Sequence, residues 1–298
     1  GRELPSPDPL SEAFVESAVA AGIQENPTHF GPNLDGVSLS KTTTRDGHRY
    51  DAATAYLGPL SNNSLLQIVT GALIDKVIVE DGVATGVRYL IDGQPVESRA
   101  SREVIVSAGV FGTPEILQRS GIGPADHLSA LGITPVADLP AVGANLMDHP
   151  MTLMNWEIEG DQVGLFDADD PSYVAMWAEE GKGKLTSNVA EATAHVRTEP
   201  GLPAPDFQIV FVPSYFREHG AQVHDKPAFT LGQSYWTPTS VGTVLIASAD
   251  PQRRAQVHLN LLSDRAEIAA MIRAIRLSRE IVSSCLLYTS PSPRDRTR

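Results

Sequence analysis

The segment Ser107-Ala108-Gly109-Val110-Phe111-Gly112-Thr113-Pro114-Glu115-Ile116-Leu117-Gln118-Arg119-Ser120-Gly121-Ile122-Gly123-Pro124 constrains the fold more than any other part of this chain. The β-branched run Arg102-Glu103-Val104-Ile105-Val106 before it predicts a short buried strand. Ser107, Ala108 and Gly109 are small, so another group can approach the backbone closely where that strand ends. Thr113 predicts an N-cap, Pro114 the first helical position and Glu115 a carboxylate in the first turn, where the helix dipole favours it. Ile116 and Leu117 give the helix an apolar side, Gly121 and Gly123 end it, and Pro124 prevents it resuming. Open α/β sheets bind ligands at such strand ends. An ordinary strand–turn–helix with glycine punctuation has the same appearance.

A chain of 298 residues is long enough for two domains, and its 42 % apolar and 20 % charged residues are those of a globular protein. A net charge of −13 argues against a nucleic-acid partner, which needs a basic face. No apolar run approaches the roughly 20 residues of a transmembrane helix. The start, Gly1-Arg2-Glu3-Leu4-Pro5, is polar, unlike a secretory signal, and is expected to be an internal point of a longer protein. The single cysteine, Cys285, excludes an intramolecular disulfide framework and a cysteine-based metal site. The stretch from Cys285 to Asp295 reads as translated library-adapter DNA, so residues 285–298 are expected to be a non-native tail without fold or function.

Along the chain, 11–22 reads as a helix capped by Ser11, with Phe14, Val15, Ala18 and Val19 as its apolar stripe. Residues 26–41 are loop-like and 51–57 a short helical piece. Strands are predicted at 65–70, 74–80, 84–91 and 96–98, with turns at Glu80-Asp81-Gly82 and Asp92-Gly93-Gln94. A short helix follows at 125–131 and a loop at 139–150. Then come strands at 152–159, 207–213, 229–235 and 242–248, and a helix at 172–179. The clearest helix is 264–283, with Ile268, Met271, Ile272, Ile275 and Ile281 at helical spacing.

The 107–124 segment resembles the second signature of the glucose–methanol–choline (GMC) family of flavin oxidoreductases. Gly47-His48-Arg49-Tyr50-Asp51-Ala52-Ala53-Thr54-Ala55-Tyr56-Leu57 resembles the family's lead-in to its strand meander, and Thr70-Gly71-Ala72-Leu73-Ile74-Asp75-Lys76-Val77 the strand beside the flavin's adenine. The stretch from Asp138 through Asn145 and Asp148 to Pro150 is similar to the loop entering the substrate domain. Gly183-Lys184-Leu185-Thr186-Ser187-Asn188 and Pro238-Thr239-Ser240-Val241-Gly242-Thr243 resemble substrate-domain segments. The likeness covers nearly all of residues 4–283, and the bacterial alcohol and choline dehydrogenase-like branch is nearest.

The resemblance implies an α/β (α+β) fold: an incomplete FAD-binding Rossmann-like domain, with a substrate domain of mainly antiparallel sheet plus helices. Residues 1–40 would belong to the substrate domain or a lid, 41–150 to the FAD-binding domain and 151–284 to the substrate domain. The cofactor would be FAD. Ile74 would offer its backbone to the adenine, and Ala108 and Gly109 would let the cofactor approach. The whole enzyme would oxidise a small-molecule alcohol by hydride transfer to the flavin and pass electrons to an unspecified acceptor. Its location stays open, with the cytoplasm as the first expectation. The family's N-terminal G-x-G-x-x-G does not occur in this sequence, and its active-site histidine lies in a segment beyond Ser284. The piece by itself is therefore expected to be inactive and to hold FAD weakly, and no residue here is assigned as catalytic. His149, next to Asp148 in a loop, reads as structural or near the cofactor rather than as the base. His29, His48, His127, His195, His219, His224 and His258 are scattered, and nothing completes a metal site around His219, His224 and Asp225. No G-x-S-x-G elbow suggests a hydrolase. The alternative from another class is a non-catalytic binding or scaffold module that retained the fold.

Overall fold

The computed structural model describes residues 1–28, 31–159 and 161–284. His29 and the expected tail from Cys285 onward lie outside the described residues. In chain order come helix α1 (Pro9–Ala20), strand β1 (Gly36–Leu39) and strands β2 (Leu73–Glu80), β3 (Val83–Ile91) and β4 (Gln94–Arg99). Helices α2 (Gly109–Arg119) and α3 (Ala125–Ala130), strand β5 (Met151–Glu157) and helix α4 (Pro171–Glu180) follow. Strands β6 (Ala192–Val196), β7 (Phe207–Val212), β8 (Ala228–Tyr235), β9 (Thr243–Leu245) and β10 (Gln256–His258) precede the last helix, α5 (Arg265–Ser283). The result is the expected mixture of helices with mainly antiparallel sheet. Contacts divide the chain into two units: 1–62 with 149–237 and 264 onward, and 63–148 with 238–263.

The first unit is built on a five-stranded antiparallel sheet in the order β1-β6-β7-β8-β5. Phe207, Ile209 and Phe211 alternate inward along β7 and are fully buried, as period-two patterning requires. Phe14 of α1 stacks on Phe211 (4.9 Å between ring centroids), and the aromatic cluster continues through Phe229 to Trp156. α1 and α5 pack against each other and against the central strands. α1 starts earlier than predicted. Asp8 is its N-cap, accepting the Leu10 N–H at 3.0 Å, with Pro9 at the first position. Ser11, the expected cap, is buried inside the helix, where its hydroxyl donates to Glu191. Residues 26–41, read as loop, contain β1. The Asn26 amide donates to the carbonyls of Asn33 and Asp35, closing the loop so that 36–39 can pair with β6.

The second unit holds the antiparallel meander β2-β3-β4, the ribbon β9-β10, and a two-residue parallel pair between 122–123 and 137–138. The turns at Asp81-Gly82 and Asp92-Gly93 place both residues at positive φ, as type I′ hairpins require. Two predicted strands do not form. Residues 66–70 and 103–107 belong to no ladder among the described residues, and Ile105 is 79 % exposed rather than buried. Their apolar character signals a wish to pair; ladder formation also needs a neighbour with open edges. The 242–248 strand shortens to β9. No helix among the described residues is long and apolar enough to cross a membrane.

Candidate functional site

The second unit carries all three predicted site residues. Helix α2 begins at Gly109, not at Pro114, with Ala108 as its N-cap residue. Thr113 therefore lies within the helix. Its hydroxyl accepts the Ala108 N–H at 3.1 Å, bonding back across the first turn instead of capping the predicted start. Pro114 is also internal and has no N–H to give the preceding turn, so the opening of this helix is loosely tied. Glu115 is not a first-turn anion; it pairs with Arg119 one turn on, at 3.2 Å.

The motif glycines have different physical reasons. A Cβ on Gly121 would lie 2.6 Å from the Thr134 carbonyl, and one on Gly143 would lie 2.2 Å from that of Val244, so both are required by packing. Gly109 differs. Its φ is +79°, a region that L side chains avoid, yet a Cβ there would meet nothing within 4 Å. Ala108, Gly109 and Val110 are exposed. The start of α2 is thus a bare left-handed backbone step beside open space. Beside it lies a cavity of about 410 Å³, lined by Val110, Thr113, Pro114 and Leu117, by the 142–147 loop and by Val244. Its size suits a small organic group.

Ile74 lies on β2 opposite Tyr89 of β3. The register then jumps: Lys76 faces Arg88, leaving Asp75 as a bulge residue. Asp75 is buried, and its carboxylate accepts from both Nε and Nη2 of Arg88. The other side of β2 is met by the end of α2. Arg119, with only 4 % of its side chain exposed, donates from Nε to the Asp75 carbonyl (2.8 Å) and from Nη2 to the Ile74 carbonyl (3.3 Å). The Val77 N–H donates to Ser120 Oγ at 2.8 Å, and that hydroxyl donates to the Ile116 carbonyl. Gln118 faces the other way: its amide donates to the Val244 carbonyl and accepts the Ile246 N–H. Sequence reading passed over these groups. The available signal was a Gln-Arg-Ser run closing a helix whose preceding turn is apolar.

The first unit holds the Gly183–Asn188 motif and His149. Glu191, fully buried, accepts from the Asp8 N–H (2.7 Å) and from the hydroxyls of Ser11 and Ser187. Burial raises the Asp8 carboxyl pKa, and the nearby Glu191 charge adds to the rise. Lys184 reaches the Gly164 carbonyl and Asp167 and lies over the Tyr173 ring. Burial opposes its charge, but pairing with Asp167 prevails and raises its pKa. The Gly183–Asn188 segment thereby ties down the loop that leads to β6. His149 is exposed and stacks on Trp236, whose ring also contacts His195 at 4.6 Å. Among the described residues no group of three or more His, Cys, Asp or Glu could hold a metal ion.

The chain is 34 % identical over 295 residues to the oxygen-dependent choline dehydrogenase of Rhizobium johnstonii, covering 96 % of this chain and 52 % of that protein. It is 35 % identical over 285 residues to the alcohol dehydrogenase [acceptor] of Pseudomonas putida, covering 94 % and 52 %. The chain spans about half the length of these curated relatives. A formate oxidase of Aspergillus oryzae, whose structure was solved to follow FAD modification, shares the fold with a TM-score of 0.85 at 24 % identity, covering 96 % of this chain and 56 % of that one. The family model for GMC oxidoreductases matches residues 2–151, and the chain belongs to that family.

Proposed function

We propose that the whole protein is an FAD-dependent oxidoreductase that oxidises the CH–OH group of an alcohol to an aldehyde or ketone. Family membership supports the class, and the bare backbone step at Gly109 carries the reading into this chain. A glycine at φ +79° with open space around it leaves room for an outside group to approach the backbone; turn glycines such as Gly82 and Gly93 share that signature, and it is the place of Gly109 at the start of α2, within the family motif, that gives it this reading. This observation fits a flat flavin ring, which needs small residues where it meets the backbone.

Bound FAD would supply the two-electron acceptor for a hydride from the carbinol carbon. In this reading Ala108 and Gly109 admit the cofactor at the start of α2, where the helix dipole favours an electron-rich partner. Ile74 offers its main chain to the adenine at β2. The unit of 63–148 with 238–263 forms part of the FAD-binding domain, and the other unit part of the substrate domain. No side chain here is assigned the removal of the hydroxyl proton. Choline and other small alcohols are the substrate class suggested by the relatives' names.

The test is Gly109→Val in the whole protein. A β-branched residue at positive φ costs on the order of 1–3 kcal/mol and puts methyl groups into the open space. Flavin content after purification, read from visible absorbance, is expected to fall strongly while the fold persists by circular dichroism. Undiminished flavin occupancy would remove Gly109 from the site.

A further inference from the structure

The end of α2 uses three consecutive buried side chains on two strands. Gln118 holds β9, while Arg119 and Ser120 hold β2. In the sheet order β2-β3-β4, β2 is an edge strand, and an open edge leaves N–H and C=O groups to be satisfied. Here the last turn of a helix satisfies them. The most demanding contact is Arg119. A guanidinium this deeply buried is costly to desolvate and needs a full set of acceptors. Each of its three nitrogens finds one acceptor, in the carbonyls of Asp75 and Ile74 and the Glu115 carboxylate, with the Asp75 carboxylate 3.9 Å away. Two of these acceptors are adjacent main-chain carbonyls on either side of the step where the β2 register jumps. One rigid fork therefore fixes the orientation of two successive peptide planes at a bulge, where the backbone would otherwise have most freedom.

We propose that Arg119 is a positioning residue for the purine end of the cofactor: by clamping the carbonyls of Ile74 and Asp75, it sets the main-chain pattern that β2 presents to the adenine. This rests on the reading of Ile74 given above. A carbonyl oxygen has two lone pairs, so the Ile74 oxygen can accept from Arg119 and still face a ligand. Asp75 and Arg88 support the clamp, since the Asp75 carboxylate, held by Arg88, keeps a negative charge close to Arg119. Ser120 extends it by taking the Val77 N–H.

The test compares FAD with FMN, which carries the same ring, ribityl chain and first phosphate but lacks the adenosine half. Apo forms of the whole protein, wild type, Arg119→Gln and Arg119→Lys, are titrated with each flavin. Lysine keeps a buried cation but cannot fork onto two carbonyls. Both variants are expected to lose about tenfold in FAD affinity, the scale of one charge-assisted hydrogen bond, with FMN affinity held within about twofold. Equal losses for both flavins would assign Arg119 to general scaffolding and overturn the proposal, as would unchanged FAD affinity. Unfolding of Arg119→Lys would overturn it too, because the guanidinium would then serve the whole fold. Failure of the wild type to bind any flavin would instead strike the functional reading itself.

Discussion

At the residue scale, the molecule invests in buried polar groups with complete sets of partners. Glu191, Gln118 and Arg119 are each buried, and each has its hydrogen-bonding atoms engaged. Asp8 is less comfortable. It caps α1, but burial and the Glu191 charge raise its pKa, so its ionised form is disfavoured in the folded state. The folded pKa lies above the unfolded value, so the penalty is present at neutral pH. It shrinks as pH falls through the raised folded value and vanishes below the ordinary Asp value. Asp8→Asn keeps a side-chain oxygen for the cap and removes the charge. Its melting temperature is expected to exceed that of the wild type at pH 7, with the gap closing as the buffer is made acidic. A gap that widens on acidification would contradict this. Little of this residue-level detail was legible in advance. Ser11 has the composition of a cap, but the Asp8-Pro9 pair actually opens the helix, which freed Ser11 for Glu191.

At the scale of elements, period and punctuation were legible where partners are local. α5 runs as expected from its cap at Asp264, and the hairpins of the meander fall at their Asp-Gly turns. Its buried face was misread only in part: Met271 and Ile281 are buried as expected and Ile275 packs against the core, but Ile268 and Ile272 are each 44 % exposed, whereas Glu267, Ala270, Ala274 and Ser278 also face inward. Small residues let this helix approach closely, and hydropathy alone under-weights them. Ala274→Leu is therefore expected to destabilise the chain by about 1–3 kcal/mol through overpacking, while Ile272→Glu stays within about 0.5 kcal/mol. Denaturant unfolding followed by tryptophan fluorescence reports on this unit, and the reverse ranking would refute the assignment. β6 escaped notice because the small and polar Ala192, Ala194 and His195 interrupt its β-branched Thr193 and Val196, yet every residue in it is buried inside the sheet, between β1 and β7. The opposite error occurred at 65–70 and 102–106, where strand propensity was plain but pairing depends on a distant neighbour that local pattern does not encode.

At the scale of the whole molecule, the family was legible in short motifs because those motifs are punctuation. Gly121 and Gly143 are dictated by neighbouring carbonyls, and Gly109 by its own backbone conformation. The polar clamp of Gln118, Arg119 and Ser120 was not legible, since the same three residue types would suit an exposed helix end. Their meaning comes from strands 40 or more positions earlier and 120 or more later in the chain. In the proposed reading the two ends of α2 act together: its start would admit the cofactor, and its end would fix the strand that meets the purine. A structure of the whole protein with FAD tests this directly. The ring system is expected against Ala108 and Gly109, and the adenine at β2 beside Ile74 with Arg119 still on both carbonyls. A dinucleotide bound away from both places would contradict it.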